Sequence, residues 1–262
     1  MPNNRQVVNA DNAFAATCFI AVATLFGLVL LADAVFFRIA TYIPTSDYWQ
    51  YTAALTEWMN NIAAPGNPHL AIEVGSPLYM PWFWLLSSLG AFFGSDAVTL
   101  MSMGAVINYL LIVLGLAGFL RLYFRDAWAP LIGFVVLFLF WGVPLIWPNI
   151  YQFRTFLYVA AYPATFVFGL SLVAFWSVLR ILRGGLSVLT MSVPLLLLLT
   201  PLMLLSDPLT SVFGLGGCAL LALTEAADSR VAVPWFLSRC LLALCWRGFG
   251  HTFYSGITFG CW

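Results

Sequence analysis

The chain has 262 residues, of which 63% are hydrophobic and only 8% are charged. Soluble domains carry about 25% charged residues, so this composition excludes a water-soluble globular protein and indicates an integral membrane protein. Ten basic residues, all of them arginine, balance ten acidic residues. This balance excludes a nucleic-acid partner, because such binding needs a basic face.

Apolar stretches long enough to cross a bilayer recur along the chain. The first, residues 14–32, lacks the small-residue cleavage pattern of a signal peptide and is followed by further apolar stretches, so it is predicted to be a transmembrane helix. The chain as a whole is predicted to be a single transmembrane domain, 1–262, with an all-α polytopic fold of about seven transmembrane helices. The other predicted spans are residues 97–120, 127–147, 156–179, 186–205, 208–224 and 231–246.

A long polar stretch, residues 38–96, separates the first two predicted spans. Apolar residues recur in it at spacings of three and four from Tyr48 to Ile62, while Asp47 and Glu57 fall on the opposite stripe. This periodicity predicts an amphipathic helix that lies on the membrane surface and ends at Pro65-Gly66-Asn67-Pro68.

A second short helix is predicted over residues 78–93, after Ser76-Pro77, because proline is tolerated in the first turn of a helix. Residues 77–93 are short for a span, and the sequence leaves open whether they cross the membrane or lie in its interface.

The arginines predict the topology, because short cytoplasmic loops are enriched in them. If the amino terminus is inside and residues 77–93 do not cross, only Arg38 and Arg154 of the assigned arginines lie outside. A crossing with the amino terminus outside gives the same ratio and stays open. In the first arrangement the loops that carry the candidate polar residues share the outer face. The arginines that then lie inside are Arg5, Arg121, Arg125, Arg180, Arg183 and Arg230.

The order of parts in the first half of the chain resembles the GT-C superfamily of membrane glycosyltransferases, which take sugars from polyprenyl-phosphate donors on the extracytoplasmic side. Ser46 stands where many members have a second acid beside the first, and no basic residue precedes Pro77. The parts that carry the resemblance are Asp47-Tyr48-Trp49-Gln50-Tyr51-Thr52-Ala53-Ala54, Ser76-Pro77-Leu78-Tyr79-Met80-Pro81, the Phe93-Gly94 break, and a span that ends in Arg121-Leu122-Tyr123-Phe124-Arg125-Asp126.

The resemblance implies that Asp47 is the general base that deprotonates an acceptor hydroxyl, although Asp47 also fits a helix cap. Arg154 either binds the donor phosphate or pairs with Asp207 or Glu73. Asp207 is a helix cap or a pocket acid, and Glu57 binds acceptor hydroxyls or faces solvent. Asp33 is the reserve candidate for the catalytic acid. The residues that the resemblance assigns to substrate binding are Glu57, His69, Glu73, Tyr79, Arg154 and Asp207.

The expected partners are a lipid-linked sugar donor and membrane lipids, in a multi-pass protein of the bacterial inner membrane. We expect no cofactor and no metal, since the five cysteines stand singly in apolar stretches and His69 with Glu73 is a weak ligand set. Residues 247–262 have neither helical periodicity nor a polar tail, and GT-C proteins are longer. We therefore expect a truncated or frame-disrupted copy, with no role for His251.

Two other classes of protein compete with the transferase. A transporter would use prolines to break its helices near the middle of the membrane, and Pro144, Pro163, Pro194 and Pro201 are the candidates. A transporter also predicts two similar halves, and no internal repeat is apparent. A non-catalytic membrane scaffold would need none of the acids on the outer face.

Overall fold

The computed structural model describes residues 4–32, 46–70, 74–76, 78, 80–140, 153–184 and 186–228. Within these ranges the chain is helical apart from turns, loops and one isolated bridge between Gly66 and Gly75. The helices in the described residues are α1 (Asn4–Ala32), α2 (Ser46–Asn60), α3 (Pro81–Phe93), α4 (Ala97–Phe124), α5 (Ala129–Leu139), α6 (Phe153–Val159), α7 (Pro163–Arg183), α8 (Leu186–Ser206) and α9 (Pro208–Asp228).

Four helices are long and apolar enough to cross a membrane, namely α1, α4, α7 and α9. The predicted all-helical fold is therefore confirmed for the described residues, and the four long apolar helices support the prediction of a membrane protein. The predicted count of about seven spans is not confirmed, because α5 and the apolar part of α8, Met191–Ser206, are shorter than the four long helices. The predicted span 231–246 and the atypical end 247–262 lie outside the described residues, as does the end of the predicted span 127–147.

Helices α4 and α7 form the centre of the bundle and run in the same direction. Gly115 of α4 lies against Leu172 of α7, and Gly169 of α7 lies against Leu111 of α4. A Cβ added to Gly115 would lie 2.8 Å from Leu172 Cβ and 3.1 Å from the backbone nitrogen of Val173. The two backbones approach this closely because both crossing positions are glycine.

One end of the bundle collects arginines, and we call the end with Arg121, Arg125, Arg180 and Arg183 the arginine end. Arg183 Nη1 donates to the carbonyl oxygen of Leu122 at 2.5 Å, and the guanidinium also pairs with Glu225 of α9. The carboxyl-terminal ends of α4, α7 and α9 are therefore joined there. We call the opposite end of the bundle, where these three helices begin, the distal end.

Helix α1 begins at the arginine end, because Phe14 contacts Trp128 and Phe26 contacts Phe138 farther along α5. The two helices therefore run in the same direction, away from the arginine end. Tyr109 of α4 donates its hydroxyl to the carbonyl oxygen of Ala23 at 2.5 Å. This bond ties α1 to the centre of the bundle.

Helix α2 has the predicted period, but its apolar face is not turned to the membrane. Tyr48, Leu55 and Trp58 are at most 1% exposed, and the helix packs on α3 and α4. Trp58 Nε1 donates to the carbonyl oxygen of Leu78 at 3.3 Å. The expectation of a helix lying on the membrane is therefore wrong for this face, because neighbouring helices cover it.

Helix α3 begins at Pro81, not at residue 78 as predicted, so Pro81 is the proline that occupies the first turn. Its 13 residues span about 20 Å, which is shorter than the hydrocarbon core of a bilayer. Gly94, with a φ of 65°, ends the helix, and the chain then reverses into α4. Helix α3 therefore lies beside the first turns of α4 at the distal end.

The predicted span 156–179 is interrupted. A turn at residues 160–162 separates α6 from α7, which begins only at Pro163. In this respect the prediction of one continuous helix is wrong. Tyr162 has an extended backbone at the start of α7, and Pro163 fits the first helical position, where its missing N–H has no partner to lose.

Candidate functional site

The candidate site lies at the distal end, around the Tyr51 ring of α2. Asp47 lies one turn before Tyr51 on the same helix, is exposed and stands at the edge of the buried face. The centroid of the Tyr51 ring is 4.9 Å from that of Tyr162 at the start of α7, and 5.8 Å from that of Phe83 in α3. Three helices therefore meet at one phenol.

The surroundings of Tyr51 raise the pKa of its phenol, and both candidate aspartates contribute. Burial is the largest cause, and together with the charges of Asp47, Tyr162 and Asp207 it raises the pKa of Tyr51 to about 12. A carboxylate disfavours a second negative charge in its neighbourhood, and it therefore raises the pKa of a phenol. Asp47 and Asp207 are 160 positions apart in the chain, and both raise the pKa of the same group, the Tyr51 phenol.

Asp207 joins α8 to α9 and is half-buried. Its carboxylate accepts a hydrogen bond from the Thr210 hydroxyl, and its carbonyl oxygen accepts from Ser211 N at 3.0 Å. This is the arrangement of a helix cap, one of the two roles that the sequence left open. The neighbouring Ser206 hydroxyl is buried and has no hydrogen-bond partner among the described residues.

The turn before α7 is buried and held by side chains. Ala160 is 0% exposed, and its carbonyl oxygen accepts from Asn108 Nδ2 at 2.8 Å. The carbonyl oxygen of Ala161 accepts from Trp82 Nε1 at 3.0 Å. Thr165 Oγ1 donates to the carbonyl oxygen of Val159 at 2.6 Å.

Asn108 also donates to the carbonyl oxygen of Tyr162, at 3.3 Å. Every carbonyl group of residues 159–162 therefore accepts a side-chain hydrogen bond. Irregular backbone is tolerated inside a membrane protein only where its polar groups are satisfied, and side chains from α3, α4 and α7 meet that need here.

The other predicted site residues do not all join this cluster. Glu57 is half-buried, and its carboxylate lies against Gly66, 3.2 Å from where a Cβ would be. His69 is exposed on the loop after α2, where its backbone N–H donates to Asn67 Oδ1 at 2.9 Å. Arg154 belongs to α6, but its side chain lies outside the described structure. Glu73, Tyr79 and Asp33 lie outside the described residues.

Sequence reasoning missed Tyr51, Tyr162 and Asn108 as parts of the site. Tyr51 carried a usable signal, because a residue four positions after Asp47 lies on the same side of a helix. Asn108 also carried one, since it is an amide inside an apolar stretch, and intramembrane polar residues mark functional or structural sites. Tyr162 carried none beyond the proline that follows it.

The prolines named for a transporter differ in their surroundings in the described part of the chain, because a turn at residues 160–162 interrupts the predicted span 156–179 directly before Pro163. Pro194 and Pro201 lie inside α8, which continues through both positions. Pro163 occupies the first turn of α7, and Pro144 lies outside the described residues. The described residues contain no group of three or more histidine, cysteine, aspartate or glutamate side chains that could hold a metal ion.

Compared with protein-family models, with curated proteins and with solved structures, the chain matches none of them.

Proposed function

We propose that the chain is a multi-pass membrane glycosyltransferase of the GT-C kind, which transfers a sugar from a polyprenyl-phosphate donor to an acceptor hydroxyl at the distal end. The observation that carries the proposal is the position of Asp47. Asp47 is exposed in the first turn of α2, one turn before the half-buried Tyr51. A general base needs a carboxylate that an acceptor can reach.

In the proposed reaction Asp47 takes the proton of the acceptor hydroxyl. The acceptor oxygen then forms a bond to the anomeric carbon of the sugar. The bond between that carbon and the phosphate oxygen breaks, and its electron pair leaves with the polyprenyl phosphate. The phosphate needs a cationic or hydrogen-bonding partner, and Arg154 of α6, a few residues before Tyr162, is the candidate.

The proposed orientation puts the arginine end in the cytoplasm and the distal end outside, in the bacterial inner membrane. The gathering of Arg121, Arg125, Arg180 and Arg183 at one end supports this orientation, because cytoplasmic ends are enriched in arginine. The location of the start of α1 at that end supports an amino terminus inside. A cysteine introduced at the exposed Gly75, where an added Cβ has no atom within 4 Å, should then be labelled only by a reagent added outside.

The test compares Asp47→Asn with Asp126→Asn in purified protein supplied with a polyprenyl-phosphate sugar. Asp126 is the matched control, because it is also exposed but lies at the arginine end, in the turn before α5, where its carboxylate accepts from Trp128 N at 2.8 Å. We expect Asp47→Asn to lose about a hundredfold or more of transfer while still binding polyprenyl phosphate. Unchanged transfer in Asp47→Asn would remove Asp47 as the base.

The donor phosphate is tested separately. We expect saturable binding of polyprenyl phosphate that weakens in Arg154→Ala and persists in Arg125→Ala, whose exposed side chain lies at the opposite end. Absence of binding by well-folded protein would argue against a lipid-phosphate donor and favour a transporter or a scaffold.

A further inference from the structure

The buried turn before α7 is unusual because its backbone depends on other helices. Its four carbonyl groups accept hydrogen bonds from Trp82 of α3, Asn108 of α4 and Thr165 of α7. Asn108 alone reaches two of them, across 52 positions of the chain. Among the described side chains of the long helices, one other donates to two carbonyl groups at the end of a different helix. It is Arg183, at the arginine end.

Asn108 is fully buried in the middle of α4. Burying an amide in an apolar span costs free energy unless hydrogen bonds replace its water. Both donated bonds of Asn108 go to the turn, while its Oδ1 accepts none from the described residues. The side chain is therefore matched to the turn, and the packing of α4 alone does not account for it.

The position of this turn also determines the position of Tyr162. Asn108 binds the carbonyl oxygen of Tyr162 itself, and the Trp82 ring, which binds the preceding carbonyl, stacks on Phe166 with centroids 4.4 Å apart. The Tyr162 ring packs edge-on against Tyr51, the residue at the centre of the candidate site. A displacement of the turn would therefore move the wall against which Tyr51 lies.

We propose that Asn108 is a positioning residue of the distal-end site, which acts through the turn at residues 160–162 and the Tyr162 ring to fix the position of the Tyr51 ring. The role of Asn108 in the reaction rests on the proposed function, whereas its effect on Tyr51 does not. The two parts are therefore tested with different measurements.

The geometric part is tested by the titration of Tyr51. Tyrosine labelled with carbon-13 at Cζ is followed by NMR, and the Tyr51 signal is assigned by its loss in Tyr51→Phe. The groups that act on Tyr51 are Asp47, Tyr162 and Asp207, and its pKa is raised to about 12. In Asn108→Leu we expect the Tyr51 signal to shift and its titration midpoint to fall toward the ordinary value of 10.0.

Ser177→Ala is the matched control for loss of a buried polar group. Ser177 is 1% exposed in α7, and its hydroxyl donates only to the carbonyl oxygen of Val173 in its own helix, at 2.8 Å. We expect no change of the Tyr51 signal in this variant. An unchanged Tyr51 titration in well-folded Asn108→Leu would overturn the proposal.

If Asn108→Leu does not fold, Thr165→Val tests whether the turn determines the position of Tyr51. It removes the donor to Val159 with almost no change of shape, and it leaves Asn108 in place. A shift of the Tyr51 signal supports the role of the turn, whereas an unchanged signal in Thr165→Val and in Trp82→Phe refutes it.

The catalytic part is read from the steady-state constants for transfer. A positioning role predicts that Asn108→Leu lowers kcat by about tenfold to a hundredfold and leaves KM for the donor nearly unchanged, because small misplacement of reacting groups slows the chemical step. A shifted Tyr51 signal without transfer activity in the native protein would refute the proposed function and leave the positioning of Tyr51 standing. A shifted signal with unchanged kcat would overturn the catalytic part alone.

Discussion

The crossing of α4 and α7 gives a sharp test of the packing, through Gly115→Ala. The new methyl group would lie 2.8 Å from Leu172 Cβ, 3.1 Å from the nitrogen of Val173 and 3.3 Å from the carbonyl oxygen of Gly169. None of these atoms is the end of a flexible side chain, so the two helices must move apart. Overpacking of this kind costs about 1–3 kcal/mol, and the better helix propensity of alanine returns at most about 1 kcal/mol. We expect a net loss of about 1–2 kcal/mol of unfolding free energy.

Gly216→Ala is the control for helix propensity. Gly216 lies in α9, is exposed, and has no atom within 4 Å of the added Cβ. This variant should be as stable as the native protein, or more stable by up to about 1 kcal/mol. Both variants are measured by reversible unfolding in mixed micelles of mild detergent and dodecyl sulfate, followed by circular dichroism. If Gly115→Ala proves as stable as Gly216→Ala, the close crossing of α4 and α7 is refuted.

Three further predictions concern single groups. Tyr109→Phe removes the hydrogen bond to the carbonyl oxygen of Ala23 and should lower the unfolding free energy by about 1 kcal/mol; no change in the same micelle assay would contradict that bond. Arg183→Gln removes the ion pair with Glu225 and should cost about 1–2 kcal/mol, with a smaller effect in high salt; equal losses at low and high salt would argue against the ion pair. The raised pKa of Tyr51 means that the folded state holds this proton more tightly than the unfolded state, so its contribution is complete below pH 10 and is lost as the pH rises to about 12. Tyr51→Phe should flatten the fall of stability in that range, and an equally steep fall in the variant would refute this assignment.

The long helices could be predicted from the sequence because they depend on local composition. The predicted spans 97–120 and 208–224 lie within α4 and α9, and the stretch 14–32 ends where α1 ends. The period of α2 was also predicted correctly. Its burial was not, because an apolar face suits lipid and protein equally well, and only the tertiary structure decides which of them covers it.

The site could be predicted only in part. Asp47 and Asp207 were chosen as polar residues of the outer loops, and both act on Tyr51. Tyr51 was predicted to lie on the apolar stripe of α2, and Asp47 on the opposite stripe. A division of the helix into two stripes conceals that Asp47, four residues before Tyr51, lies at the edge of the apolar one. The turn at residues 160–162 follows no local polar signal, and its hydrogen bonds come from residues far away in the chain, so no local pattern could reveal it.

The parallel course of α4 and α7 has a consequence for biosynthesis. Two helices that cross a bilayer in the same direction cannot be neighbours in a hairpin, so the chain must return between them. Asn108 and its partner Ala160 are 52 positions apart, and at a synthesis rate of roughly 5–20 residues per second the amide waits about 3–10 s for its partner. During that interval α4 sits in the membrane with an unmet polar side chain and a bare glycine face.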